Sequence, residues 1–134
     1  MTHLLDTSAW LAHLFGEAGI LEVRQVFSDP QNQVFVSALS LLEIYARLKA
    51  LHKAEQWPAV YSTYAALFTE ILPVDKQVVM AAIQLRSVTP SRLPTVDALI
   101  AATAVFHNLT LVHRDAHLSS IPIESVRQMR LPDK

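Results

Sequence analysis

The chain has 134 residues, 51% of them hydrophobic and 17% charged, with a formal net charge of −1. This length and composition predict a single globular domain over residues 1–134 and exclude a disordered tail protein. The absence of cysteine excludes disulfide scaffolds, thiol nucleophiles and thiolate metal sites. The two glycines, Gly16 and Gly19, form no glycine-rich phosphate loop. With no basic excess, any polyanionic partner would have to be met by local Arg and Lys or by metal ions.

The N-terminal segment has no targeting signal, because it lacks a basic region and Asp6 interrupts its apolar stretch. The longest unbroken apolar run, at residues 98–102, is far shorter than the roughly 20 residues that a membrane span requires. We therefore expect a soluble, cytoplasmic protein with no membrane partner.

In chain order, apolar runs and apolar residues at helical spacing predict alternating elements. The first half predicts a strand at 3–5, helices at 9–15 and 20–27, a strand at 34–36 and a helix at 39–53. The second half predicts a helix at 56–68, a strand at 71–74, helices at 76–86 and 95–107, a strand at 110–112 and a short edge strand at 122–124. Thr7 or Ser8 is the expected N-cap of the first helix, and Asp75 that of the helix at 76–86.

Short apolar strands alternating with helices predict an α/β fold with a parallel sheet covered on both faces. The carboxyl ends of parallel strands meet at one edge, and binding sites in such sheets lie outside that edge. Four acids occur in apolar surroundings near element boundaries, namely Asp6, Glu43, Asp97 and Asp115. We expect all four at this edge, two of them after strands and two in the first turns of helices.

Each acid has a purely structural explanation. Ser40 and Glu43 match a capping box, Asp97 would complement a helix dipole, and Asp6 and Asp115 would serve as caps. Together, however, four carboxylates in a partly dry cleft repel one another strongly. A hard divalent cation such as Mg²⁺ or Mn²⁺ relieves that repulsion, because it prefers oxygen ligands. Without a phosphate loop or a covalent nucleophile constellation, the reaction class that suits this set is metal-assisted hydrolysis of a phosphodiester.

The ordered contexts of these acids resemble the PIN-domain ribonucleases. They are 5–8 (LDTS), Glu43 near a helix start, 97–102 (DALIAA) and 110–115 (TLVHRD). Length and order look like the VapC-type toxins of bacterial toxin–antitoxin pairs. The resemblance implies a three-layer α/β/α sandwich with a short, mostly parallel central sheet. It also implies that Asp6, Glu43, Asp97 and Asp115 are catalytic around Mg²⁺, for which Mn²⁺ can substitute.

The same resemblance assigns further roles. Asp6, Asp97 and Asp115 would bind the metal, and Ser8 stands where the family often has a supporting hydroxyl. The implied activity is endonucleolytic cleavage of RNA. The resemblance also implies a homodimer and a cognate antitoxin that inhibits it. The sequence departs from the family pattern at His113, two residues before the last acid, where Thr or Ser is frequent.

Other patterns leave alternatives open. Arg114 is either a phosphate contact to RNA or a surface charge, and the H-x-D-x-H string at 113–117 permits a zinc site. The aromatic stripe at positions 57, 61, 64 and 68 is a core face, a partner groove or a base-stacking platform. Two rival functions remain: a haloacid-dehalogenase-like phosphatase with Asp6 as nucleophile, and a non-enzymatic partner-binding module.

Overall fold

A five-stranded parallel sheet lies at the centre of the structure, a computed structural model that describes residues 1–133. The first half of the chain forms β1 (Thr2–Leu5), α1 (Thr7–Phe15), α2 (Ile20–Ser28), β2 (Gln33–Ser37), α3 (Ala38–Ala50) and a 3₁₀ turn (Ala54–Gln56). The second half forms α4 (Trp57–Leu67), β3 (Glu70–Leu72), α5 (Lys76–Val88), α6 (Thr95–His107), β4 (Thr110–His113), α7 (Ala116–Ser119) and β5 (Gln128–Arg130). The strand order is β3-β2-β1-β4-β5, and every neighbouring pair is parallel.

Helices cover both faces of this sheet, because successive side chains of a strand point to opposite faces. Leu4 packs into a core with residues of α5 and α6, such as Leu85 and Ile100. Its neighbour Leu5 packs into the other core, with residues of α1 and α3 such as Trp10 and Ile44. The predicted three-layer α/β/α sandwich is therefore confirmed.

The central strands determine where the site lies. β1 is paired with both β2 and β4, and Leu5 stands opposite Val36 and Val112 in these two pairs. The next residue, Asp6, donates its backbone N–H to the carbonyl of Val112 at 3.0 Å. The chain leaving β1 and the chain leaving β4 are thus joined at the carboxyl edge of the sheet.

The predicted edge strand at 122–124 is wrong. Those residues form a turn in which the N–H of Ser125 donates to the carbonyl of Pro122 at 2.9 Å. Proline has no N–H for a strand ladder, and the fifth strand forms at Gln128–Arg130 instead, where it pairs with β4. The strand predicted at 71–74 likewise ends at Leu72, directly before Pro73.

Two capping predictions are also corrected. The N-cap of α1 is Asp6 rather than Thr7 or Ser8, because the helix begins at Thr7. The predicted capping box of Ser40 and Glu43 does not form, because α3 begins at Ala38 and is capped by Ser37. Glu43 therefore lies beyond the first turn.

The predicted cap of α5, Asp75, is confirmed, with its carboxylate accepting from the N–H of Val78 at 3.0 Å.

The aromatic stripe is mainly a core face. The rings of Tyr64 and Phe68 both lie 5.1 Å from the ring of Trp10, centroid to centroid, and all three side chains are buried. Trp57 and Tyr61 extend the stripe toward the surface. Over residues 1–133, the helices are too short or too polar for any of them to cross a bilayer.

Candidate active site

Asp6 is buried at the carboxyl end of the central strand β1, with 4% of its surface exposed. Its Oδ1 accepts hydrogen bonds from the N–H of Ala9 at 2.9 Å and from the hydroxyl of Ser8 at 2.7 Å. The first is the N-cap bond of α1, so the structural explanation for Asp6 is correct as far as it goes. A cap, however, does not require a buried charge, since asparagine and serine cap helices equally well.

Ser8 connects Asp6 to the chain that follows β4. Its hydroxyl donates to Asp6 and accepts from the backbone N–H of Arg114 at 3.0 Å, a residue 106 positions later in the sequence. This one hydroxyl therefore fixes both the carboxylate after β1 and the backbone that leads to Asp115. The geometry gives Ser8 the means to act as the supporting residue predicted from the sequence.

Glu43 is held at the same edge by Thr7. The hydroxyl of Thr7 donates a short hydrogen bond to Oε1 of Glu43 and lies 3.0 Å from the hydroxyl of Ser40. Because a hydroxyl carries one proton, Ser40 is the donor in the second bond. The chain Ser40 to Thr7 to Glu43 orients the half-buried carboxylate of α3 beside the start of α1.

Asp97 and Asp115 lie next to each other, on either side of His117. Asp97 is in the first turn of α6, as predicted, and Asp115 is the N-cap of α7, its Oδ1 accepting from the N–H of His117 at 2.8 Å. The ring Nδ1 of His117 lies 3.6 Å from Asp97 Oδ2 and 3.5 Å from Asp115 Oδ1. One ligand atom from each of these three residues lies within 4.8 Å of the others.

The acids form one electrostatic unit. The pKa of Asp6 is raised to about 7, mainly because the carboxyl is buried; the charges of Asp115 and Asp97 contribute, and the hydrogen bonds from Ser8 and Ala9 oppose the shift. Burial also raises the pKa of Asp97 to about 6, with Asp115 and Glu43 contributing and His117 opposing. Charges on Asp115 and Glu43 therefore reach Asp97, and charges on Asp115 and Asp97 reach Asp6, which links acids from four parts of the chain.

This donor set suits a hard divalent cation. Such ions bind carboxylate oxygens, and a cation at this point would stabilise the ionised forms that burial and mutual repulsion disfavour. His117 adds a nitrogen ligand, which Mn²⁺ accepts at least as readily as Mg²⁺ does. The alternative of a zinc site in the H-x-D-x-H string is not supported. His113 is fully buried, and its Nε2 forms a 2.8 Å hydrogen bond with Gln128 Oε1.

Two arginines border the site in different ways. The side chain of Arg114 is 6% exposed, and its guanidinium pairs with Glu17 and donates to the carbonyl of Ala18 at 3.1 Å. It is therefore held within the fold, which favours a structural role over the predicted phosphate contact. Arg47 is exposed on α3 and lines a cavity of about 310 Å³ together with Ser8 and Asp115.

Sequence reasoning did not assign site roles to Thr7, His117 or Arg47. Thr7 stood out only as a helix cap, and its bond to Glu43 depends on how α1 and α3 pack. Arg47 is one turn after Glu43 on α3, a spacing that places both on one helix face and would have identified it. His117 was recognisable within the H-x-D-x-H string, but only α7 brings it back to Asp115.

Comparisons with known proteins identify the family and the fold. Residues 3–124 match the family model described as PIN domain. No curated protein matches the chain in sequence. Solved structures with the same fold include VapBC2 from Rickettsia felis bound to a DNA fragment from their promoter, with a TM-score of 0.79 and 18% identity over 98% of this chain and 100% of that chain.

Two further structures extend the likeness. FitAcB from Neisseria gonorrhoeae has a TM-score of 0.73 and 24% identity over 96% of both chains. VapC20 from Mycobacterium tuberculosis, described as a sarcin-ricin loop cleaving toxin, has a TM-score of 0.68 and 18% identity over 90% of this chain and 94% of that chain. At these identities the likeness is one of fold.

Proposed function

The chain belongs to the PIN-domain family, and from that premise we propose that it is a Mg²⁺-dependent endoribonuclease, the toxin of a type II toxin–antitoxin pair. The observation that carries the proposal is the cluster of four acids at the carboxyl edge of the sheet. Burial, with a smaller contribution from the neighbouring acids, raises the pKa values of Asp6 and Asp97, which supports a site prepared for a cation. The likeness of fold to an RNA-cleaving toxin supports RNA as the substrate.

Asp6, Asp97 and Asp115 would hold the cation, and Glu43 would complete the negative cluster from α3. When bound, Mg²⁺ or Mn²⁺ stabilises negative charge on a phosphate and makes water a stronger acid. The protein's own contribution is orientation. Ser8 fixes the carboxylate of Asp6, and Thr7 fixes that of Glu43, so neither acid has to reorganise when substrate arrives.

The RNA backbone would approach along the cavity bordered by Arg47. The guanidinium of Arg47 is exposed on the face of α3 that also carries Glu43, so a phosphate can lie between the arginine and the acids. Arg114, whose guanidinium is engaged with Glu17, serves mainly to hold the chain after β4 in place. We therefore assign the predicted RNA contact to Arg47 in preference to Arg114.

The partners follow the same proposal. Solved structures of similar fold include toxin–antitoxin systems, and we propose a cognate antitoxin for this chain, acting in the cytoplasm. We also propose a homodimer that pairs through α5. That helix leaves Val79, Met80 and Ile83 exposed by 41%, 56% and 59%, beside a small apolar cavity of about 140 Å³ between α5 and α6.

The rival functions have less support. Family membership argues against a haloacid-dehalogenase-like phosphatase, which would need a second acid at the position of Ser8. The non-enzymatic module gains something from the capping roles of Asp6 and Asp115. It also accounts for Asp97, which lies in the first turn of α6, through the helix dipole, but it leaves Glu43 unexplained, because Glu43 neither caps α3 nor lies in its first turn.

The test is cleavage of total cellular RNA by purified protein, with Mg²⁺ and with EDTA, and with the cut ends mapped. We expect cleavage in Mg²⁺, none in EDTA, and none from Asp6→Asn or Asp97→Asn. Asp75→Asn is the matched control, because it removes the carboxylate of another N-cap while keeping the cap of α5. Cleavage that persists in EDTA, or in Asp97→Asn, would contradict the proposal.

A further inference from the structure

A chain of hydrogen bonds runs from β5 to Asp115 through the buried ring of His113. The side-chain N–H of Gln128 donates to the carbonyl of Ile121 at 3.0 Å, which leaves its Oε1 facing His113 Nε2 at 2.8 Å. At the other side of the ring, the backbone N–H of Asp115 donates to His113 Nδ1 at 3.1 Å. The ring of His113 has no exposed surface.

The partners fix the tautomer of the ring. A backbone N–H can only donate, so Nδ1 of His113 must carry the lone pair. The proton then resides on Nε2, where Oε1 of Gln128 accepts it. Gln128 in turn cannot rotate its amide without losing the carbonyl of Ile121. The ring therefore presents a fixed acceptor to Asp115.

Asp115 depends on such an anchor because α7 is a helix of four residues, Ala116–Ser119. A single turn is not stable by itself, so its starting point is set by contacts from outside the helix. Two successive amides supply them: the N–H of Arg114 is held by Ser8 and the N–H of Asp115 by His113. Asp115 is the member of the catalytic cluster that is bonded to the ring, through its backbone N–H.

We propose that His113 is a positioning residue, which holds the Asp115 carboxylate at the cation site by accepting the Asp115 N–H. The proposal rests on the proposed function for the use of that site. It also gives β5 an indirect role in catalysis, because Gln128 on this strand keeps the proton on Nε2 and so leaves Nδ1 of His113 as the acceptor. His113 itself is expected to contact neither metal nor RNA.

Two substitutions separate the two nitrogens of the ring. Asparagine places its carbonyl oxygen at the position of Nδ1, so His113→Asn keeps the acceptor for Asp115 and loses the donor to Gln128. Glutamine places its amide at the position of Nε2, so His113→Gln keeps a partner for Gln128 and loses the acceptor for Asp115. Both remove a buried ring, so a merely structural role predicts that both impair the site equally.

The experiment measures Mn²⁺ affinity by calorimetry and hydrogen exchange of the Asp115 amide by NMR. We expect His113→Gln to weaken Mn²⁺ binding about tenfold and to speed exchange of that amide, and His113→Asn to stay within about twofold of the native protein. Equal weakening in both variants, or native affinity and slow exchange in His113→Gln, would overturn the proposal.

Gln128→Met supplies a second test should His113→Gln fail to fold. It removes the acceptor that holds the ring and lies on a half-buried edge strand. We expect faster exchange of the Asp115 amide and weaker Mn²⁺ binding, and no change in either would again overturn the proposal. Failure of the proposed function looks different, because the native protein itself would then bind no Mn²⁺ while the amide exchange would still report on the contact to His113.

Discussion

The hydroxyl of Ser8 donates a 2.7 Å hydrogen bond to Oδ1 of the buried Asp6, and so stabilises the ionised carboxylate that a cation needs. The same oxygen accepts the N–H of Arg114 at 3.0 Å. Ser8 therefore links the two central strands of the sheet at the point where both deliver an acid to the site.

Ser8→Ala is predicted to weaken Mn²⁺ binding by about tenfold and stability by about 1–3 kcal/mol, because a carboxylate loses its donor and a backbone N–H loses its acceptor. The loss of that donor also raises the pKa of Asp6, so Mn²⁺ binding should require a higher pH. Calorimetry at pH 6 and pH 8 measures both the weaker Mn²⁺ binding and its dependence on pH. Ser28→Ala, which removes an exposed hydroxyl that donates to the carbonyl of Gln25 within α2, is the control. Equal affinities for the two variants would contradict the role of Ser8.

The raised pKa of Asp6 predicts a dependence of stability on pH in the metal-free protein. The unfolded carboxyl ionises near 3.8 and the folded one near 7, so the folded state binds the proton more tightly. Stability is then highest below the lower value and is lost as pH rises toward 7. Asp97, with a pKa near 6, adds to the loss over a narrower range.

Asp6→Asn isolates this effect, since asparagine retains the cap of α1 and carries no charge. In EDTA, urea unfolding of the variant and the native protein should give similar stabilities near pH 4. At pH 8 the variant should be more stable by about 2–4 kcal/mol, although it is inactive. Saturating Mn²⁺ should reduce that difference by stabilising only the native site. Parallel stability curves from pH 4 to pH 8 would show that the charge of Asp6 is not disfavoured by the fold.

Thr7→Val tests the orientation of Glu43. Valine has nearly the same shape as threonine but cannot donate to the carboxylate, so we expect RNA cleavage to fall about 10- to 100-fold. Thr7→Ser keeps the hydroxyl and should retain most of the activity. Thermal unfolding of the two variants checks that the fold is intact. Equal activity of the valine and serine variants would mean that the bond to Glu43 has no part in catalysis.

Ile83→Asp tests the proposed pairing through α5. A charge in the middle of an apolar interface cannot be solvated there, so the variant should be a monomer by light scattering at concentrations where the native protein is a dimer. Leu42→Asp changes a residue of α3 that is 68% exposed and should leave the dimer intact. A native protein that is monomeric, or an Ile83→Asp variant that remains a dimer, would contradict the pairing.

The architecture was predictable because the buried strands are short apolar runs, and β1, β2 and β3 are each followed by a helix with an apolar face. Asp6 and Asp115 could be placed at one edge because they directly follow such runs. β5 was not predictable by the same reasoning, because Gln128 and Arg130 are polar and its pairing with β4 is fixed by the rest of the fold. The apolar residues near Pro122 gave a stronger local signal than the real strand.

The hydrogen bonds that orient the acids could not be predicted from the sequence, for a physical reason. The bonds from Thr7 to Glu43 and from Ser8 to Arg114 join residues 36 and 106 positions apart. Such contacts depend on how helices dock on the sheet, which local patterns do not determine. The corrected start of α3 shows the same limit: because Ser37 is the cap, the alternative capping role of Glu43 is ruled out.

The most direct test of the central claim is calorimetric titration of the native protein with Mn²⁺ at pH 7.5, beside Asp97→Asn and Asp75→Asn. If acids from separate elements bind one cation together, Mn²⁺ should bind saturably to the native protein and to Asp75→Asn. Saturable Mn²⁺ binding should be lost in Asp97→Asn. An absence of saturable binding to the native protein, or unchanged binding to Asp97→Asn, would contradict it.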